Sequence, residues 1–148
     1  MTRKGFAFAG ALQLVALLSL HVPSPALAAF SAAELKCRDT IAKLGTKLSQ
    51  TAAKAFNDCH AKRIEGTIGV GTDCNSVVDA DLKEKIAKAA AKLAEQVPAK
   101  CTGLTPANLN YDACPAACAA EVPSIANFND VAACVACVAQ SSVEGMTG

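Results

Sequence analysis

Apolar residues recur at steps of four and three along the segment that follows residue 31, which is the spacing of one face of an α-helix. The members of this stripe are Cys37, Ile41, Leu44, Leu48, Ala52, Ala55 and Cys59. Lys43, Lys47 and Lys54 fall off the stripe. The pattern therefore predicts a long amphipathic helix with two cysteines on its buried face and lysines on its outer face.

Both ends of this first helix carry their own signals. Ser31 and Glu34 have the spacing of a capping box, in which the serine hydroxyl and the glutamate carboxylate each accept a hydrogen bond from a backbone N–H at the helix start. Gly66, Gly69 and Gly71 follow the stripe and favour a flexible connection. We expect the helix to begin at Ser31 and to end before these glycines.

A second helix is indicated by a shorter stripe of the same period. Its apolar members are Leu82, Ile86, Ala89, Leu93 and Val97. The acidic side chains at its start suit N-terminal capping and complement the helix dipole; they are Asp79, Asp81 and Glu84. Because Pro98 removes a backbone donor and disfavours helical angles at Val97, this helix should end or kink just before Cys101.

A third helical segment is expected near the C-terminus. Its apolar stripe is Val131, Cys134, Val135 and Val138, and Asn129 or Asp130 can cap it. The predicted fold is all-α. An antiparallel helical hairpin covers residues 31–101, a short C-terminal Cys-rich helical unit covers 102–148, and disulfides staple both within a single domain of residues 29–148.

The cysteines support this arrangement. All eight follow residue 28, at positions Cys37, Cys59, Cys74, Cys101, Cys114, Cys118, Cys134 and Cys137. In an antiparallel hairpin, Cys59 meets Cys74 at the turn and Cys37 meets Cys101 at the open end. A short C-terminal hairpin would join the other four by nested bridges, from Cys114 to Cys137 and from Cys118 to Cys134. A crossed pairing stays open, because sequence does not determine connectivity.

The N-terminus reads as a secretory signal peptide over residues 1–28. Basic Arg3 and Lys4 precede an apolar run over residues 6–20, and Ala26-Leu27-Ala28 fits a cleavage site. The apolar run is about 15 residues, short of the roughly 20 that cross a bilayer, so no transmembrane anchor is expected in the mature chain. The predicted localisation is secreted or periplasmic, a setting in which disulfides persist.

Composition narrows the function classes. The chain has 14 basic and 13 acidic residues, and removal of Arg3 and Lys4 with the signal leaves a formal charge of −1. A near-neutral protein does not bind nucleic acid by bulk charge, so no nucleic-acid partner is expected. Residues 31–65 carry seven basic and four acidic side chains, whereas residues 102–148 carry four acidic and no basic ones. We interpret the lysines as solvating helix faces.

The four C-terminal cysteines are the most attractive chemical site. Cys114, Cys118, Cys134 and Cys137 form two pairs that could surround tetrahedral zinc. Export into an oxidising compartment favours disulfides over a metal centre. Cys134-Val-Ala-Cys137 also has the form of a redox motif, but no strand pattern precedes it. Disulfides without a cofactor or metal are the expectation here.

Two further candidates are weaker. Five oxygen-bearing side chains fall near calcium-loop spacing, namely Asp73, Asn75, Asp79, Asp81 and Glu84, but Val77 and Val78 replace a ligand and the loop glycine. His60 is the only histidine after residue 28, so a histidine-based catalytic group would need it. We interpret it as a surface residue near the end of a helix. No catalytic residue is predicted.

The chain resembles uncharacterised small exported bacterial proteins that combine a Lys/Ala-rich helical pair with a terminal Cys-Pro and Cys-x-x-Cys segment. Residues 37–59, 85–101 and 114–137 carry the resemblance. It implies no activity. Plant lipid-transfer proteins are also small, exported, helical and rich in cysteine, but their Cys-Cys and Cys-x-Cys elements are absent here.

These patterns favour an exported, non-enzymatic structural or binding module whose partner is unknown. One alternative is a carrier of an apolar ligand or lipid, because the full chain is 52% hydrophobic. Another is a zinc or redox protein that uses the four C-terminal cysteines. The partner classes that stay open are a protein and an apolar ligand.

Overall fold

The computed structural model describes residues 30–144, and this part of the chain forms helices and turns without a strand. The elements in chain order are α1 (Ala32–Ile64), α2 (Val77–Ala80), α3 (Lys85–Lys100), two short 3₁₀ turns (Ala107–Leu109 and Ala116–Cys118) and α4 (Phe128–Glu144). The predicted all-α class is confirmed. The predicted signal peptide over residues 1–28 lies outside the described residues.

The start of α1 has the predicted capping box. The Glu34 backbone N–H donates to Ser31 Oγ at 3.3 Å, and the Ser31 backbone N–H donates to Glu34 Oε2 at 2.6 Å. The backbone hydrogen bond from Ser31, and then the bond with its side chain, lower the pKa of Glu34. The stabilisation is therefore present above the ordinary pKa of glutamate and is lost as the pH falls through the lowered value.

Three helices pack together rather than two. The α3 helix lies antiparallel to α1, and α4 packs against both of them. Phe128 and Val131, at the start of α4, lie with Cys37 and Cys101 in one buried cluster. Val143, at the other end of α4, belongs to a second cluster around Cys59 and Cys74. Hence α4 runs parallel to α1, and the C-terminal Cys-rich unit completes the core of the hairpin.

The buried face of α1 follows the predicted stripe with two additions. Its buried residues are Cys37, Ile41, Gly45, Leu48, Ala52, Phe56 and Cys59. Leu44 and Ala55, which the stripe included, are only partly buried. Gly45 and Phe56 are buried because α4 covers a second side of α1, and a hairpin alone would expose that side.

The second predicted helix is divided in two. A single turn, α2, ends at Ala80, and α3 begins at Lys85 after Glu84 adopts a left-handed conformation with φ of 53°. Leu82 lies in the break and is 45% exposed, so its assignment to the apolar stripe was wrong. The helix includes Pro98 and ends at Lys100, just before Cys101. Proline is tolerated there because it removes one hydrogen bond near the helix end.

The cap of α4 also differs from the expectation. Asn127 Oδ1 accepts hydrogen bonds from the backbone N–H groups of Asn129 and Asp130. Asp130 Oδ2 accepts in return from the N–H groups of Ala126 and Asn127. The capping residue is therefore Asn127 rather than Asn129 or Asp130, and Asp130 completes a reciprocal pair with it.

Four disulfides connect the eight cysteines. The hairpin has the pairing expected for antiparallel helices, Cys37 with Cys101 and Cys59 with Cys74. The C-terminal pairing is crossed rather than nested, with bridges Cys114–Cys134 and Cys118–Cys137. The crossed pairing arises because the 114–118 segment runs in the same direction as α4 and the chain then returns through residues 119–127.

Replacing both Cys37 and Cys101 with serine should lower the free energy of unfolding by about 4 kcal/mol, because the bridge closes a loop with a sequence separation of 64. The matched double replacement of Cys59 and Cys74, whose separation is 15, should cost about 3 kcal/mol. Denaturant unfolding followed by circular dichroism measures both. A larger loss for the short loop would contradict this ranking, as would a non-reducing digest that joins Cys37 to any cysteine but Cys101.

The contact between α1 and α4 is closest at Gly45. A β-carbon at this position would lie 2.8 Å from Cγ1 of Val135, which is inside the normal contact distance. Valine is stiff about χ1, so its methyl group has little freedom to move away. The absence of a side chain at position 45 thus lets α4 approach α1.

Gly45→Ala should lower the free energy of unfolding by about 1 kcal/mol, because overpacking outweighs the better helix propensity of alanine. In a Val135→Ala background the same change should cost nothing or stabilise the protein. Gly69→Ala is the control, since a β-carbon there meets no atom within 4 Å. An increase in stability for Gly45→Ala in the otherwise unchanged protein would show that the helices separate easily.

Candidate functional site

The sulfur chemistry of the described residues is that of disulfides. None of the eight cysteines is free. The four that were considered for zinc, Cys114, Cys118, Cys134 and Cys137, clasp the second 3₁₀ turn onto α4. Zinc binds thiolate sulfur, so in this oxidised form these side chains lack the ligands that a zinc site needs.

His60 lies next to the Cys59–Cys74 bridge. Its Nε2 is 3.0 Å from Asn75 Oδ1, the distance of a hydrogen bond. An amide oxygen can orient an imidazole, as asparagine does in Cys-His-Asn triads, but such a triad also needs a nucleophile, and every cysteine here is held in a disulfide. The contact ties the last turns of α1 to the loop that carries Cys74.

Three of the four carboxylates in the calcium-loop register accept hydrogen bonds from backbone N–H groups, and the fourth, Glu84, pairs with Lys88. Asp73 Oδ1 accepts from the N–H of Asn75, and Asp79 Oδ2 accepts from the N–H of Asp73. Asp81 accepts from two N–H groups at the start of α3. Within residues 30–144, no group of three or more histidine, cysteine, aspartate or glutamate side chains is placed to hold a metal ion.

An open groove lies between α1 and the start of α3. It consists of two adjoining clefts that share Ala55, Asp58 and Lys85. We call it the α1–α3 groove. Its basic lining residues are Lys47, Lys54, Lys62, Lys83 and Lys85. Asp58 and Asp81 supply the acidic groups, and Leu82 supplies an exposed apolar side chain.

The local backbone explains this set of side chains. Lys47 and Lys54 are seven residues apart, two helical turns, so they project from the same side of α1. The break between α2 and α3 brings Leu82, Lys83 and Lys85 to the opposite wall. The spacing of the lysines predicted a solvated helix face, and the groove was not apparent from the sequence. The seven-residue spacing of Lys47 and Lys54 was the one sequence signal for the α1 wall. The opposite wall depends on the break between α2 and α3.

Asp81 holds the break in place. Its Oδ1 accepts from the Lys85 backbone N–H at 2.7 Å, and its Oδ2 accepts from the Ala87 N–H at 2.9 Å. Since the first N–H groups of a helix have no partner within the helix, this carboxylate satisfies two of them and also complements the helix dipole. It does so without occupying the lysine side chains.

The described surface also has apolar side chains at the Cys59–Cys74 end. The strongly exposed ones there are Ile64, Val70 and Val78, at 84% to 88% exposure. No helix within residues 30–144 combines the length and hydropathy needed to cross a membrane. Four disulfides fit an extracellular or otherwise oxidising compartment.

Comparison of the chain with protein families, curated proteins and solved structures gave no match.

Asp81→Ala should lower the free energy of unfolding by about 1 kcal/mol, because two N–H groups at the start of α3 lose their acceptor. Asp81→Asn should recover only part of this loss, since its amide keeps one accepting oxygen for one of the two N–H groups. Asp39→Ala, which removes an exposed ion pair on α1, is the control and should change stability by less than about 0.5 kcal/mol. Urea unfolding measures all three, and equal effects of the two alanine variants would argue against a capping role.

Proposed function

We propose that this chain is an exported, non-enzymatic structural or binding module. The observation that carries the proposal is the stapling of the three-helix packing by disulfides at both ends of the hairpin and again at α4. Such a scaffold presents a surface whose backbone is already ordered, which lowers the entropic cost of binding.

The proposed location is secreted or periplasmic. Two observations support it: the signal-like pattern of residues 1–28, and a disulfide content typical of oxidising compartments. The disulfides also compensate for a core with few large side chains. Its largest fully buried residues are Phe56, Leu48, Ile86 and Leu93.

The described side chains favour binding over catalysis. The one histidine after residue 28 contacts an amide. The acidic side chains around the loop at residues 73–81 bind backbone N–H groups. In contrast, four of the five lysines of the α1–α3 groove are exposed and Lys62 is partly exposed, which suits a recognition surface.

Native mass spectrometry of residues 29–148 made in an oxidising compartment tests this function. The protein should carry no bound lipid or zinc, and its mass should be eight hydrogens below the reduced value, as four disulfides require. Chelator should leave the mass unchanged, and reductant should restore the eight hydrogens. Bound lipid would favour the carrier, and bound zinc would favour the metal protein.

A hydrolase screen of the same sample tests the absence of turnover. His60→Ala is the diagnostic variant, and Asn75→Ala is the matched control that removes the partner of the histidine while leaving the imidazole in place. Reproducible turnover that is lost in His60→Ala and retained in Asn75→Ala would show that the chain is an enzyme and overturn the proposal.

A further inference from the structure

We infer that the α1–α3 groove binds an extended acidic peptide segment of a partner protein, one that carries apolar side chains between its carboxylates. This inference rests on the proposed binding function and deepens it. It follows from the charge of the groove, from its position relative to α4, and from the mixture of side chains that line it.

The groove has an excess of uncompensated positive charge. Five lysines line it, against Asp58 and Asp81. The two ion pairs among the described residues, Lys43–Asp39 and Lys88–Glu84, both lie outside it. Asp81 already accepts two backbone hydrogen bonds. The ammonium groups of the groove therefore have no internal partner in the described chain and are available to an anionic ligand.

The α1 wall of the groove faces away from α4. Lys54 is nine residues beyond Gly45, the contact point of α4 on α1, so it projects from the opposite side of the helix. Residues 102–148 carry four acidic and no basic side chains. None of these four carboxylates lines the groove, and Glu144 accepts a hydrogen bond from the Val77 N–H at the start of α2.

The lining favours a peptide over a uniform polyanion. Asp58 lines both clefts of the groove and would repel a polymer that carries an anion at every repeat. A peptide can place a backbone N–H against this carboxylate and glutamates against the lysines. Leu82 lines one of the clefts, is 45% exposed and offers contact to an apolar side chain. Polyphosphate has neither an N–H for the Asp58 carboxylate nor an apolar group for Leu82.

The dimensions of the groove set the length of the segment. Lys47 and Lys62 are 15 positions apart on α1, about 22 Å at the helical rise per residue. An extended peptide covers that distance with about seven residues. A segment of this length can place carboxylates near both ends of the groove and apolar side chains between them.

The test uses a fluorescein-labelled peptide of about seven residues in which glutamates alternate with leucines, matched to the extended length. Binding to the oxidised protein is followed by fluorescence anisotropy at about 0.05 M and about 0.2 M salt, which changes the screening of surface charge. The groove variant combines Lys47→Gln, Lys54→Gln and Lys85→Gln. The matched control combines Lys36→Gln, Lys92→Gln and Lys100→Gln, which removes the same charge elsewhere on α1 and α3. Circular dichroism verifies that both variants are folded.

We expect saturable binding that weakens at the higher salt and that weakens about fivefold to tenfold in the groove variant, the sum of three exposed charge pairs. The control variant should bind within about twofold of the original protein. Leu82→Ser should weaken binding of the glutamate–leucine peptide but should not weaken binding of a leucine-free polyglutamate of the same length. Together these results would support the inference.

Three outcomes would overturn it: no binding at about 1 mM peptide, equal weakening in the groove and control variants, or tighter binding of polyphosphate than of the peptide. None of these outcomes would overturn the proposed binding function, because the protein could bind a partner through another surface. Turnover lost in His60→Ala would instead remove the proposed function, so the two failures are distinguishable.

Discussion

The length of α1 between its two cysteines is the constraint on which the rest of the structure depends. Cys37 and Cys59 are joined to Cys101 and Cys74, and about 33 Å of helix separates them. A continuous helix from Cys74 to Cys101 would be about 40 Å long, too long to meet both bridges. The break between α2 and α3 shortens this arm of the helical hairpin. It also places Leu82, Lys83 and Lys85 beside α1, so the same mismatch in length creates one wall of the groove.

The elements governed by local rules were predictable from sequence. The capping box of Ser31 and Glu34, the cysteine stripe of α1 and the end of α3 before Cys101 all follow from patterns within a few residues. The features that depend on the third helix were not. Gly45 is buried against Val135, and a cysteine spacing alone could not distinguish crossed from nested bridges. The periodicity of residues 82–97 concealed the helix break, because Leu82 has the correct spacing for a buried face but lies outside α3.

The groove likewise combines one wall that follows from local sequence with one that depends on how the helices pack. Its α1 wall was present in the sequence as the spacing of Lys47 and Lys54, and the excess of basic residues in 31–65 was apparent. Its α3 wall depends on Asp81. This carboxylate accepts hydrogen bonds from two N–H groups at the start of α3 and so fixes the positions of the neighbouring lysines. A lysine-rich helix is ordinarily a solvated one. The groove becomes a candidate site only when a second element places further lysines opposite, and neither Asp58 nor Asp81 forms an ion pair with them in the described part of the chain.

The affinity and selectivity of a disulfide-bonded scaffold with surface lysines follow from its ordered backbone and its exposed charges. The backbone is ordered before the ligand arrives, but each lysine still loses rotamer freedom when it is held against a carboxylate. Exposed ion pairs contribute little individually, and salt screens them. Such a groove should therefore bind acidic segments with modest affinity and rapid exchange. Selectivity then has to come from lining groups that are not basic, and these include Asp58, which lines both clefts, and Leu82, which lines one of them.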